Sequence, residues 1–129
     1  MGTWGIEPWD NDRAADWFGD TFERLKIAEH VAATLQLDPV DNHEEIRAAA
    51  SLLVMLGRAY VWPVERLDQD LSLAARKLEQ LLAVPELNES EEIIAAIRQE
   101  IQELRSRIKD STVQPPAAST GRKWWQFWK

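Results

Sequence analysis

The sequence has no cysteine, only two histidines and no long apolar run, and each of these features argues against a class of protein. Without cysteine there can be no disulfide and no thiolate metal site, which suits a reducing compartment. No run of about 18 apolar residues is present, so no segment is predicted to span a membrane as a helix. The opening MGTWGIEPWD lacks the basic and then apolar order of a secretory signal. We therefore expect a cytoplasmic protein.

The motifs of common enzymes are missing as well. The chain has no His-x-x-x-His pair, no Gly-x-Ser-x-Gly and no glycine-rich phosphate loop. His30 and His43 have no Ser, Asp or second His at a spacing typical of a catalytic triad or a metal pair, so we expect both on the surface. We predict that the protein is not an enzyme and needs no cofactor.

Charge is unevenly distributed along the 129 residues. All 22 acidic residues precede residue 111, whereas three of the 15 basic residues follow it, so the two parts carry formal charges of −10 and +3. Nucleic-acid binding needs clustered Lys and Arg, and the acidic body argues against it. The same charge favours solubility or a basic protein partner.

Apolar residues recur every three or four positions over four stretches, which predicts four helices in a compact all-α bundle. The stretches cover about 13–35, 43–56, 64–82 and 91–108. Asp10, Asn11 and Asp12 are N-cap candidates for the first predicted helix, and Trp17 widens its apolar stripe. Gly57 is a stop for the second, Asp70 leaves open a kink in the third, and Asn88 or Ser90 caps the fourth. Asp41 with Glu44, or Asn42 with Glu45, fits a capping box before the second helix. The isoleucine-rich seam of the fourth predicted helix fits packing inside the bundle, and it also leaves open a homodimer through that helix.

The predicted organisation is a single helical domain over residues 1–109, a flexible linker over 110–121 and an aromatic, basic tail over 122–129. The linker, DSTVQPPAASTG, has small, polar and proline residues and no periodicity. At the other end of the chain the residues before Arg13 are irregular and rich in tryptophan and glycine.

A set of aromatic and acidic residues marks the N-terminal motif. We expect the aromatic residues to pin the irregular segment to the helices, and the acidic ones to cap the first helix and anchor the loop. Asp12, Asp16 and Asp20 fall four apart on one helix face, so they are also weak candidates for a metal site and a metal-dependent enzyme. The full motif is Trp4, Trp9, Asp10, Asp12, Asp16 and Trp17.

The opening MGTWGIEPWDNDRAADW resembles the start of the domain-of-unknown-function 4259 proteins of bacteria. Their beginnings read MG-[AT]-WG-x-G-x-[FL]-x-N-D-x-A-x-D-[FW], and this chain departs from the pattern at Glu7 and Trp9. The stretches AAASLLVMLGR and LAARKLEQLLAVPEL are similar to the helical middle of the same family, so the resemblance covers about residues 1–108. It implies a small helical protein and no particular activity. The matching residues are Gly2, Trp4, Gly5, Asn11, Asp12, Ala15, Asp16 and Trp17.

The tail combines aromatic rings with cations, and three uses fit this composition. It could contact a protein partner as a short helix, bind weakly at a membrane surface, or fold back on its own acidic domain. The residues concerned are Arg122, Lys123, Trp124, Trp125, Phe127, Trp128 and Lys129.

Taken together, the sequence predicts a non-catalytic cytoplasmic protein that acts through protein–protein interaction. A specific form of this hypothesis is an immunity or antitoxin-like protein whose acidic body masks a basic toxin. A peripheral membrane adaptor that uses the tail and a metal-dependent enzyme that uses the N-terminal acidic cluster are the alternatives.

Overall fold

The computed structural model of the chain describes residues 5–108. Within that range there are six α-helices and one short 3-10 helix, and no β-strand is found there. The predicted all-α class is therefore confirmed. In chain order the elements are α1 Asp12–Leu25, α2 Ile27–Leu35, α3 His43–Leu56, the 3-10 helix Val64–Arg66, α4 Leu67–Leu81, α5 Pro85–Asn88 and α6 Glu91–Ser106.

The first predicted helix is divided into two at Lys26. This residue has φ 56° and ψ 39°, so it lies in the left-handed region and ends α1 while it starts α2. Lysine has no local preference for that conformation, which costs a non-glycine residue about 1–2 kcal/mol. The bend lets Phe22 of α1 and Ala28 of α2 both be buried in the core. Tertiary packing therefore overrides a helical pattern that is continuous in the sequence.

A second additional helix, α5, is a single turn between α4 and α6. Proline is at its first position. Proline suits a helix start because a backbone N–H at that position would have no carbonyl partner within the helix. Of the two caps that the sequence left open, Asn88 and Ser90, it is Ser90 that caps α6, by accepting a hydrogen bond of 3.2 Å from the N–H of Ile93. These two differences explain why six helices form where the periodicity predicted four.

The start of α3 differs from the predicted capping boxes. Asn42 is the N-cap, but its side chain accepts no hydrogen bond from the helix. Instead its amide donates to the carbonyl of Asp38 at 3.2 Å, and the carboxylate of Asp38 accepts from the N–H of Asp41 at 2.9 Å. The turn is organised around Asp38, so neither predicted box forms.

The core is centred on α4, which packs against α6, α3 and α2. The isoleucine-rich seam predicted for the last helix is found on α6. Three of its residues are buried: Ile97, Ile101 and Leu104. That seam is occupied inside the chain; a homodimer through α6 stays a prediction. The largest wholly buried side chains are Trp62, Leu35, Ile46, Leu53, Leu71, Leu78, Leu81, Ile97 and Leu104.

One carboxylate among the described residues, that of Asp70, is buried in this core. Asp70 lies within a continuous α4, so the possible kink at this position in the sequence is not found. Its Oδ2 accepts hydrogen bonds from the indole N–H of Trp62 at 2.9 Å and from Nε of Arg66 at 2.8 Å. The hydrogen bond to Asp70 raises the pKa of the Arg66 guanidinium, against the opposing effect of burial. Arg66 therefore keeps its charge at any ordinary pH.

The C-terminal end of α6 is joined to the C-terminal end of α3. Nη1 of Arg107 donates to the carbonyl oxygens of Leu53 at 3.0 Å and of Gly57 at 3.4 Å, and its Nη2 donates to Glu103 at 2.7 Å. Carbonyl oxygens at the C-terminal end of a helix have acceptor capacity left over and carry partial negative charge, so a guanidinium is favourable there. Gly57 ends α3 as predicted, and its N–H donates to the carbonyl of Leu53 at 2.8 Å.

Candidate interaction surface on helix α1

The segment before α1 is organised by a tight turn. The N–H of Glu7 donates to Oδ2 of Asp10 at 3.0 Å, and the N–H of Asp10 donates back to the carbonyl of Glu7 at 3.0 Å. Gly5 lies so close that a Cβ there would be 2.5 Å from the same carboxylate oxygen. Asp10 therefore anchors the loop, and a Cβ at position 5 would push its carboxylate out of this position.

The next residue begins the helix. Oδ1 of Asn11 accepts a hydrogen bond of 2.8 Å from the N–H of Ala14, so the cap falls on Asn11 within the predicted cluster of Asp10, Asn11 and Asp12. Asp12 is in the first turn, where a negative charge complements the helix dipole. The local polar sequence thus fixes where α1 starts.

Trp9 connects this segment to the residues that follow α3. Its ring is half-buried against the core, and the guanidinium carbon of Arg58 lies 4.6 Å from the ring centroid. This is a cation–π distance. Arg58 comes directly after Gly57, so the contact ties the start of α1 to the end of α3. No sequence signal marks Arg58, and sequence reasoning missed it. Trp4 lies outside the described residues.

Trp17 points away from the core. Its side chain is 61% exposed, and its ring meets Phe18 edge to face with centroids 5.3 Å apart. Successive helical residues are turned by about 100°, so Trp17 is directed outward where Phe18 packs half-buried against the core and Phe22 is buried. The expectation that Trp17 widens the apolar stripe is therefore wrong. The positions of Phe18 and Phe22 in the sequence already indicated that Trp17 faces outward.

We name the exposed side of this helix the α1 outer face. Trp17, Asp20, Thr21, Glu23 and Arg24 line a shallow depression of about 500 Å³ on it. Asp16 lies one residue before Trp17 and is exposed. The α1 outer face consists of Asp16, Trp17, Asp20, Thr21, Glu23 and Arg24.

The inner side of the same helix is firmly held. Phe22 is buried and contacts the ring of Trp62 edge to face, with centroids 5.1 Å apart. Leu25, at the last position of α1, is 62% exposed and extends the apolar surface beside Lys26. The α1 outer face is thus an exposed aromatic and acidic surface on a helix that is fixed at its start and on its inner side.

The acidic side chains of α1 are unpaired within the described residues. Four ion pairs found among residues 5–108 lie elsewhere, and none of them includes Asp12, Asp16, Asp20 or Glu23. Negative charge on this face is therefore not neutralised by contacts inside the described part of the domain. The four pairs are Arg47–Glu100, Arg66–Asp70, Arg105–Glu79 and Arg107–Glu103.

The other predicted site residues are not brought together. Asp12, Asp16 and Asp20 lie on successive turns and are exposed, and residues 5–108 contain no group of three or more His, Asp or Glu side chains placed to hold a metal ion. His30 is exposed on α2, whereas His43 is half-buried at the first position of α3. The tail residues 122–129 lie outside the described residues.

Comparisons with protein-family models, with curated proteins and with solved structures find no match to this chain. None of the helices described here is long and apolar enough to cross a membrane.

Proposed function

We propose that the protein is non-catalytic and binds a basic protein partner through the α1 outer face. The observation that carries the proposal is the exposed indole of Trp17 beside the depression that Asp20 and Glu23 also line. Tryptophan is enriched among the residues that contribute most to binding at protein interfaces, and a polar rim usually surrounds such an anchor. This face has both parts.

Charge supports a basic partner. The acidic side chains of α1 have no ion-pair partner among residues 5–108, and the chain before residue 111 has a formal charge of −10. An acidic surface of this kind raises the rate at which a basic protein associates and opposes the binding of acidic ones. In its specific form the proposal makes the protein an immunity or antitoxin-like protein of the cytoplasm.

The contacts that fix α1 on the domain also support its use as a binding surface. The Asn11 cap, the Phe22–Trp62 contact and the Arg58–Trp9 contact hold the helix at its start and along its inner side. A surface that is already ordered loses little conformational freedom when a partner binds. Trp17 would thus be presented to the partner without a large rearrangement.

Affinity capture with matched variants tests this proposal. Tagged full-length protein, its Trp17→Ser variant and its Val40→Ser variant are used to capture partners from cells that produce the protein. Val40 is the control because it is an apolar residue that is 54% exposed and belongs to the link between α2 and α3 rather than to α1. We expect a basic protein that wild type and Val40→Ser retain and that Trp17→Ser loses.

The salt dependence of capture adds a second criterion. Because the expected attraction is between exposed charges, retention should fall as the salt concentration rises. A partner retained equally by Trp17→Ser, or no basic partner at all, contradicts the proposal.

The remaining predictions belong to the same proposal. We propose a helical body over residues 1–109 whose tryptophan-rich start packs on the helices, a linker over 110–121 and a tail over 122–129. We also propose membership of the domain-of-unknown-function 4259 family, on the basis of the opening motif. The alternatives have direct tests: liposome flotation for a membrane adaptor, and Mg²⁺ titration for a metal-dependent enzyme at Asp12, Asp16 and Asp20.

A further inference from the structure

We propose that residues 122–129 of this chain dock on the α1 outer face of the same molecule and cover Trp17. The proposal rests on the proposed function in taking this face as the binding surface, and it adds a regulator of that surface. Its support comes from the placement of two helix ends, from the length of the chain after α6 and from complementary chemistry.

Two side-chain contacts place the end of α6 near the start of α1. Arg107, directly after α6, donates to the carbonyl of Gly57 at 3.4 Å. The next residue, Arg58, lies over the ring of Trp9 at 4.6 Å. Trp9 in turn precedes the N-cap Asn11 by two residues. The last described residues of the chain therefore leave the domain near the N-terminal end of α1.

The intervening chain is long enough to reach every turn of α1. Residues 109–121 number thirteen, and an extended chain spans at most about 3.3–3.6 Å per residue, or about 45 Å in all. The 14 residues of α1 extend about 21 Å at 1.5 Å per residue. The tether thus sets no barrier to docking anywhere along the helix.

The two surfaces have complementary chemistry. Residues 122–129, RKWWQFWK, carry three cations and four aromatic rings. The α1 outer face and the first turn of the helix carry four acidic and two basic side chains, Arg13 and Arg24, so acidic charge is in excess. The Trp17 ring and Leu25 are exposed on the same helix. Cations of the tail are attracted to the unpaired carboxylates, while its rings cover apolar area that is otherwise in water. The four acidic residues are Asp12, Asp16, Asp20 and Glu23.

Tethering strengthens this contact. A segment joined by a short chain meets its site at a millimolar effective concentration, so even a weak contact is populated. A basic partner must then displace residues 122–129, and its apparent affinity falls by the fraction of molecules in which the face is covered. The tail is in this way a built-in competitor for the partner site.

Paramagnetic relaxation in the full-length protein tests the docking. The chain has no cysteine, so a Thr120→Cys variant takes a single nitroxide label just before the tail. We expect the label to broaden the NMR signals of the Trp17 indole and of the Asp20 and Arg24 amides. The amide of Val40, at the opposite end of α3 from Gly57, should keep its intensity.

Charge reversal provides the matched controls. Arg122→Glu with Lys123→Glu should abolish the broadening, and Asp20→Lys with Glu23→Lys should do the same. Combining both pairs of substitutions should restore it, because the attraction is re-formed with reversed signs. Circular dichroism of each variant confirms that the helices are intact before the spectra are compared.

Three results would overturn the proposal. The first is no broadening of the Trp17 indole in the labelled protein, and the second is broadening that survives either charge reversal. The third is broadening between chains when labelled and isotope-enriched molecules are mixed, since the occupant would then be a second copy.

The proposed function can fail or survive independently of this result. Partner capture that depends on Trp17 supports the proposed function whether or not residues 122–129 dock. If they dock, the Arg122→Glu and Lys123→Glu variant should retain more partner than wild type at equal concentration; equal or lower retention contradicts the regulatory role.

Discussion

The indole N–H of Trp62 donates a hydrogen bond of 2.9 Å to Oδ2 of Asp70, a residue with no exposed surface. Nε of Arg66 donates to the same oxygen at 2.8 Å, so two donors replace the water that the carboxylate lost on folding. A buried charge without such partners is strongly unfavourable. This contact allows an acidic residue to lie inside the core-facing helix α4.

Removing the carboxylate should therefore destabilise the protein strongly. We expect Asp70→Ala to lower the free energy of unfolding by about 3–5 kcal/mol, because it leaves a charged and a neutral donor without their acceptor. Asp70→Asn should cost less, since its amide oxygen still accepts from Trp62. Urea unfolding followed by circular dichroism measures both. Equal stability of the alanine variant and wild type would contradict the role of this contact.

Two glycines should respond to alanine with opposite signs. A Cβ at Gly57 would lie 2.5 Å from the carbonyl oxygen of Leu53 and 2.9 Å from its Cδ2, so Gly57→Ala should cost about 1–3 kcal/mol. Gly19 is inside α1 with nothing within 4 Å of its would-be Cβ. Gly19→Ala should raise the free energy of unfolding by about 0.5–1 kcal/mol. The same unfolding experiment measures both variants, and shifts of the same sign would contradict the described backbone.

Lys26 provides a test of the break between α1 and α2. Its φ of 56° favours glycine, so Lys26→Gly should relieve strain and raise the free energy of unfolding by up to about 1 kcal/mol, after the added freedom of the unfolded chain is subtracted. Lys26→Ala removes the charge without relieving the strain and is the control. If the glycine variant is the less stable of the two, α1 and α2 form one continuous helix in solution.

Much of the helical architecture could be predicted because its signals are local. The apolar spacing of α4 and α6, the Ser90 cap and the Gly57 stop all depend on neighbouring residues, and each is found as predicted. The break at Lys26 could not be predicted, since it depends on how Phe22 and Ala28 reach the same core. Long-range packing leaves no mark in a window of a few residues.

The candidate surface was only partly predictable for a related reason. The Asp10 and Asn11 contacts follow from polar residues beside a helix start, and the sequence indicated that region. The outward position of Trp17 depends on which side of α1 the core occupies, which the sequence pattern suggested only through Phe18 and Phe22. The Arg58 contact joins residues 49 positions apart, and no motif connects them.

The contact between Trp9 and Arg58 should contribute measurably to stability and should hold the start of α1 in place. In a double-mutant cycle of Trp9→Leu and Arg58→Met, we expect a coupling energy of about 0.5–1 kcal/mol, because methionine keeps an apolar stem of similar length but has no charge over the ring. Hydrogen exchange adds a local readout. Since Trp9 lies two residues before the Asn11 cap, either substitution should speed exchange in the first turns of α1 more than in α6. Additive effects of the two substitutions, or faster exchange spread equally over both helices, would show that the contact does not hold this helix in place.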